Sequence, residues 1–274
     1  MTITNNKIII CSGDSYVAGD ELAADLLIPG YTSHLYPLAG VPKDAQALRD
    51  QIKEAEKKLS TNDHNEYWEK SKAKAWPTYL GKLSGLSVSN VGRRGISNQE
   101  IAHRAVESFH IKLSKGIDPS NITVLMMLTS PNRFGAPQHD VDYGGDFEYQ
   151  SFMPGYDFMP RSIKHYCERI VKDFDDYDLL WFSYSNLIAA KYHIESLGGT
   201  VHFLDSCLWG WYIKNYKHAT KKTRHHELSS SLKILYEMGS MAFDVPGAAN
   251  LPGGHYNEVV HEYFAKELYV RLFT

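Results

Sequence analysis

Lys7 to Ser12 reads KIIICS, a short apolar run rich in β-branched residues and without alternating polar positions. This is the pattern of a strand buried on both faces, as in a parallel sheet. Leu86–Val91 (LSVSNV), Ile122–Ser130 (ITVLMMLTS), Leu179–Tyr184 and Thr200–Leu204 read as further strands. Helical segments lie between them: Trp76–Leu83, with Pro77 near its first turn, then a stretch after Gly95, then residues 163–174 and 186–197. A final helix begins near Asn257, which is placed to cap it. The Gly198-Gly199 pair is a stop signal before the last strand. This β-α-β rhythm predicts one domain over residues 1–274, with a parallel sheet of about five strands between two helical layers.

Three stretches break the rhythm. Residues 44–59 (DAQALRDQIKEAEKKL) are charged and rich in Ala, Leu, Glu and Lys, and read as an exposed helix. They belong to a helical insertion over about 40–75, either a lid arm over a site or a peripheral helix. Residues 134–162 are rich in Gly, Asp, Tyr and Pro and lack periodicity, so they read as a long loop. A second loop insertion covers about 208–250.

Composition narrows the function classes. With 43% hydrophobic and 22% charged residues the chain is of ordinary globular type. A net charge of −3 argues against attraction of the whole protein to nucleic acid or an acidic membrane. Residues 214–226 are locally basic, either as a solvated loop or as a patch for an anion. Three cysteines without a CxxC suggest neither a disulfide framework nor a zinc site, and no HExxH occurs. No metal or other cofactor is expected. The start, MTITNNKIII, does not read as a signal peptide, and no run reaches the roughly 18 apolar residues of a membrane span. These features lead to the expectation of a cytoplasmic protein. The 18 Tyr, 11 Phe and 5 Trp either pack the core or line a groove for a flat ligand.

Four separated pieces share one chemical idea. Gly13-Asp14-Ser15 follows the first strand, where a tight turn would expose a serine Oγ for attack and leave its N–H for an oxyanion. Gly92 follows the second strand, and its N–H is a second candidate oxyanion donor. Asn132 follows Ile122–Ser130 and has a side-chain N–H for the same task. His255, after Gly253-Gly254, is placed to enter a cleft and serve as general base. Asp14, Arg93 and Arg133 lie nearby in sequence as candidates for binding substrate.

In order and spacing these blocks resemble the SGNH/GDSL-like hydrolases, notably uncharacterised phage-encoded members. IIICSGDSYVAG resembles the nucleophile block. SNVGRRGISNQEI and MMLTSPNRF resemble the two oxyanion blocks, and GGHYNEVVHEYFA resembles the HPNxxGH ending, with Asn257 and His261 in register. The resemblance implies a flavodoxin-like three-layer fold and a serine esterase or deacylase acting through an acyl-enzyme. Its substrate would be a small or carbohydrate ester, with O-acetylated sugars favoured. For a phage protein it also implies the host cytoplasm. The family's Asp three residues before the His is Pro252 here. Three alternatives follow: a Ser–His dyad oriented by a backbone carbonyl, Asp244 acting from upstream, or weak or absent catalysis. In the last case the scaffold would bind an anionic ligand or a protein partner.

Overall fold

The protein was analysed as a computed structural model, which describes residues 7–36, 45–129, 133–138, 148–152, 176–205, 251 and 255–274. In chain order the first elements are β1 (Ile8–Ser12), α1 (Ser15–Ala18), α2 (Gln46–Glu56), α3 (Thr61–Ala73), α4 (Trp76–Ser84) and β2 (Ser87–Asn90). There follow α5 (Asn98–Ser114), β3 (Ile122–Leu128), β4 (Phe134–Gln138), β5 (Glu148–Phe152), α6 (Asp176–Ser196), β6 (Thr200–Asp205) and α7 (Glu258–Phe273). Short 3-10 turns at Ala24–Leu26 and Tyr31–Ser33 follow α1.

Four strands make an all-parallel sheet in the order β2-β1-β3-β6. Side chains alternate across a strand, so one apolar run supplies both faces of the sheet. Ile8 and Ile10 of β1, with Val124, Met126 and Leu128 of β3, pack on Ile101, Ala105 and Phe109 of α5 and on Leu187, Ala190 and Ile194 of α6. Ile9, Cys11, Leu125, Met127 and Leu204 face the opposite way, onto Trp76 and Leu80 of α4 and Phe264, Ala265 and Leu268 of α7. The result is the expected α/β architecture, a parallel sheet between two helical layers.

Two expectations are corrected. Leu179–Tyr184 is not a strand, because Asp176–Ser196 is one continuous helix. The segment contains no Gly or Pro, and Leu187, Ala190 and Ile194 recur at helical spacing on its buried side. A short apolar run is ambiguous between strand and buried helix, and here the helical stripe decides it. The described sheet therefore has four strands rather than five. Residues 134–162 are not wholly irregular either, since β4 and β5 pair as an antiparallel ribbon. The insertion over 40–75 holds α2 and α3. The expected helix at 163–174 and the stretch 208–250, with its basic residues 214–226, lie outside the described residues. Among the described residues no helix is long and apolar enough to cross a membrane.

Gly19 sets how α1 meets the rest of the fold. It ends α1 in the left-handed conformation, with φ 74°. A Cβ there would lie 2.5 Å from the Ser71 carbonyl oxygen and 2.9 Å from Ala75 Cβ. Gly85 is also left-handed, with φ 67°, but a Cβ on it meets nothing within 4 Å. Gly85→Ala therefore carries only the conformational penalty, about 1 kcal/mol, whereas Gly19→Ala adds overpacking and should cost about 2–4 kcal/mol. Urea unfolding of the two variants checks the difference; equal losses would show that α1 is not wedged against α3.

Candidate active site

Three loops meet at the carboxyl edge of the sheet, where open parallel sheets form their sites. After β1, Asp14 caps α1, its Oδ1 accepting from Tyr16 N at 3.2 Å. Asp14 Oδ2 accepts from Thr129 Oγ1 at 2.7 Å and lies 3.5 Å from an Arg133 guanidinium nitrogen. The loop after β1 is thus fastened to the loop after β3. Asn98 strengthens that corner: its side-chain amide exchanges two hydrogen bonds with the Thr129 main chain, each 3.0 Å long. From β2, Arg93 N donates to Gly13 O at 3.0 Å, and Asn90 Nδ2 donates to Val17 O at 2.8 Å. A Cβ on Gly92 would lie 2.8 Å from both Ala18 N and Val17 Cβ, so only glycine lets this loop pass α1 so closely.

The candidate residues divide accordingly. Ser15 opens α1 and is buried. Its amide belongs to the first turn, where the helix offers no acceptor of its own. The Gly92 amide donates to Asn90 Oδ1 at 3.0 Å, so this candidate oxyanion donor is engaged within its own turn. Asp14 and Arg133 face each other, and Arg133 also reaches the Ile96 carbonyl at 3.4 Å. Arg93 stands 3.9 Å from Glu100 at the rim. Asn132 and Asp244 lie outside the described residues.

His255 lies beside the nucleophile block, its ring centroid 5.5 Å from that of Tyr16 and perched edge-on. Its Nδ1 is 2.6 Å from Glu21 Oε2, and its own backbone N–H donates to the same oxygen at 3.3 Å. The carboxylate on this nitrogen is thus Glu21, six residues after Ser15. The other ring nitrogen, Nε2, is 3.6 Å from Asp20 Oδ2. Among the described residues no hydrogen bond joins Ser15 Oγ to the imidazole.

The carboxylates are held from behind. Tyr31 Oη donates to Glu21 Oε1, and Arg94 Nε lies 3.1 Å from Asp20 Oδ2. Glu21 is the one described non-glycine residue with positive φ, at 68°. Such backbone strain persists only where its surroundings impose it. Burial pushes the His255 pKa down, but the charges of Asp20, Glu21 and Asp14 outweigh it, and the net shift is upward. Burial also pushes Glu21 up, but hydrogen bonds and charge from His255, with the Tyr31 bond, bring it below the usual carboxylate range. For Asp20 burial prevails over the attraction of His255 and Arg94, so its pKa is raised. Glu21 and Asp20 went unrecognised as site residues in the sequence. The available signal was two adjacent carboxylates inside an otherwise apolar stretch, VAGDELAA.

His261 has a different task. Its Nδ1 accepts from Trp76 N at 3.1 Å and so caps α4, the neighbouring helix in the same layer. Burial, aided by the charge of His255, drives its pKa down to about 3. A group whose folded pKa is depressed below an unfolded value of 6.5 gives up stability as protons bind the unfolded chain first. Stability should therefore fall as pH drops from about 6.5 toward 4. His261→Leu should lower stability at pH 8 by about 1–3 kcal/mol, since Trp76 N is left unpaired, and should flatten that acid decline. Urea midpoints across the pH range test both parts; an unchanged acid slope in the variant would refute the assignment.

Comparison with protein-family models, curated proteins and solved structures finds no match to this chain. Its chemistry is therefore read from its own geometry.

Proposed function

We propose that the chain is a serine hydrolase of the SGNH type, an esterase or deacylase, with Ser15 as nucleophile, His255 as general base and Glu21 as the orienting acid. The observation that carries this reading is the 2.6 Å contact between His255 Nδ1 and Glu21 Oε2, beside a serine at the carboxyl edge of a parallel sheet. A carboxylate on Nδ1 fixes the tautomer that leaves Nε2 free to accept a proton, and it stabilises the imidazolium formed. The strand order β2-β1-β3-β6 corresponds to the first four places of a flavodoxin-like sheet.

In this reading Ser15 Oγ forms a bond to the acyl carbon as its proton passes to Nε2. The carbonyl electron pair moves onto oxygen, facing the Ser15 amide; Gly92 N–H joins it only by leaving Asn90. Collapse expels the alcohol, which takes the proton from Nε2. Water then repeats the sequence and releases the acid. Ser15 and the imidazole must first come within hydrogen-bond reach, a contact that often tightens only when substrate binds. The rings of Tyr16 and Tyr256, 5.1 Å apart and inclined at 40°, offer aromatic surface beside His255 for the sugar of an O-acylated carbohydrate. No cofactor and no nucleic acid enters the scheme, and a cytoplasmic setting suits it.

A second reading is a binding scaffold for an anionic ligand or protein partner. It draws on the engaged Gly92 amide and on an imidazole flanked by two carboxylates rather than by serine. A fluorophosphonate probe separates the two. The folded protein should be labelled at Ser15 and at no other serine, and p-nitrophenyl acetate hydrolysis should be lost in Ser15→Ala. No labelling, together with equal rates in wild type and variant, would favour the scaffold.

The acid–base roles predict a pH profile. His255 must be neutral to act as base, and its pKa is raised. kcat/KM should therefore climb with pH through a midpoint above the ordinary imidazole value of about 6.5. Glu21→Gln removes one of the charges that hold the proton, so the midpoint should fall while the plateau drops about 10²–10⁴-fold. A plateau within twofold of wild type would exclude Glu21 from the mechanism.

A further inference from the structure

The role of the helical insertion remains to be assigned. Both carboxylates that face His255 are tied, through one side chain each, to helix α2. Asp20 Oδ1 accepts from Glu21 N at 3.1 Å, which leaves Oδ2 between Arg94 Nε at 3.1 Å and His255 Nε2 at 3.6 Å. From the same guanidinium, one terminal nitrogen reaches both oxygens of Glu56, at 3.1 and 2.9 Å. Glu56 is the last residue of α2. On the other carboxylate, Glu21 Oε2 meets the imidazole while Oε1 accepts from Tyr31 Oη. The Tyr31 ring is fully buried and packs with Ala24 and with Ile52 of α2. Tyr67 of α3 is buried close enough to Asp20, Glu56 and Arg94 to feel all three charges.

We propose that α2 is a buttress of the active centre rather than a lid, and that Arg94 and Tyr31 are positioning residues that hold Asp20 and Glu21 against the imidazole of His255. A lid must open without disturbing the groups that do the chemistry. Lifting α2 would strip Arg94 of Glu56 and uncover the Tyr31 ring, loosening the two side chains that hold Asp20 and Glu21 in place. Buried charges at that density need a fixed cationic partner. Planar and always charged, arginine is able to serve two acids at once. The inference rests on the proposed role of His255, but its test does not require hydrolysis.

The test is an NMR titration of the His255 ring in the full chain, followed alongside far-UV circular dichroism and the urea midpoint. The charged and titratable groups facing this ring are Asp14 before α1, Asp20 and Glu21 after it, His261 on α7, and Arg94 behind Asp20. Arg94→Gln removes the positive charge and should raise the His255 midpoint by about one pH unit. Asp20→Asn should lower it by a similar amount, and Arg94→Lys should restore most of the wild-type value. Tyr31→Phe deletes one hydroxyl and is the variant to rely on if Arg94→Gln does not fold. It frees Glu21 to bind the imidazolium harder, so the midpoint should again rise, while kcat falls about tenfold with KM unchanged. Midpoints unmoved in folded Arg94→Gln, or in folded Tyr31→Phe if the former does not fold, would overturn the proposal. Shifted midpoints in a protein that hydrolyses no ester would uphold the buttress and sink the hydrolase reading.

Discussion

A partly buried histidine gripped by a buried glutamate is the contact on which the remaining geometry turns. Glu21 and His255 are separated by 234 positions, so the contact exists only if both ends of the chain are set by the same sheet. β1 fixes one end and α7, packed on the opposite side of β1 from α5, fixes the other. Burying either group alone would cost several kcal/mol; buried together, each supplies the partner the other needs. The left-handed backbone of Glu21 adds about 1–3 kcal/mol of strain. Three hydrogen bonds to its carboxylate, from Tyr31, His255 N and His255 Nδ1, hold it there.

The two neighbouring acids are pushed in opposite directions. Glu21 is drawn below its ordinary range by hydrogen bonds, while Asp20, whose Oδ2 makes no well-aligned hydrogen bond, is raised by burial. Acid and base assignments commonly arise from such separation of paired groups. Glu21 is the acid that stays ionised and orients the ring. Asp20 is the one that takes a proton more readily. His261, on α7, has its pKa depressed by burial and by the charge of His255, and its Nδ1 is bound to Trp76 N.

Much of the frame was legible in the residues. KIIICS and ITVLMMLTS were readable because buried strands leave largely apolar runs, whereas LSVSNV, at the sheet edge, is only half-buried. Ser15 and Gly92 were expected just after strand ends, and they lie there. The strand expected at Leu179–Tyr184 failed for a definite reason: five apolar and aromatic residues around Ser183 carry no period, and the deciding stripe of Leu187, Ala190 and Ile194 lies beyond them. The role of Glu21 was hidden differently. Its partner lies 234 positions away, and no local pattern encodes a contact at that range. The engagement of Gly92 N–H by Asn90 was hidden because it depends on a side-chain rotamer rather than on spacing.

An orienting acid is defined by the nitrogen it touches, not by its place in the chain. Supplying it from the loop after α1 has a physical consequence that supply from the loop before His255 would lack. Nucleophile and acid then share one short segment, Ser15 to Glu21, whose shape is fixed by the Asp14 cap, the left-handed Gly19 and the wall formed by α3. His255 is set against this segment by the contacts of its two ring nitrogens with Asp20 and Glu21. The insertion helices supply the rigidity, since the contacts they make run through Arg94 and Tyr31 to the same two acids.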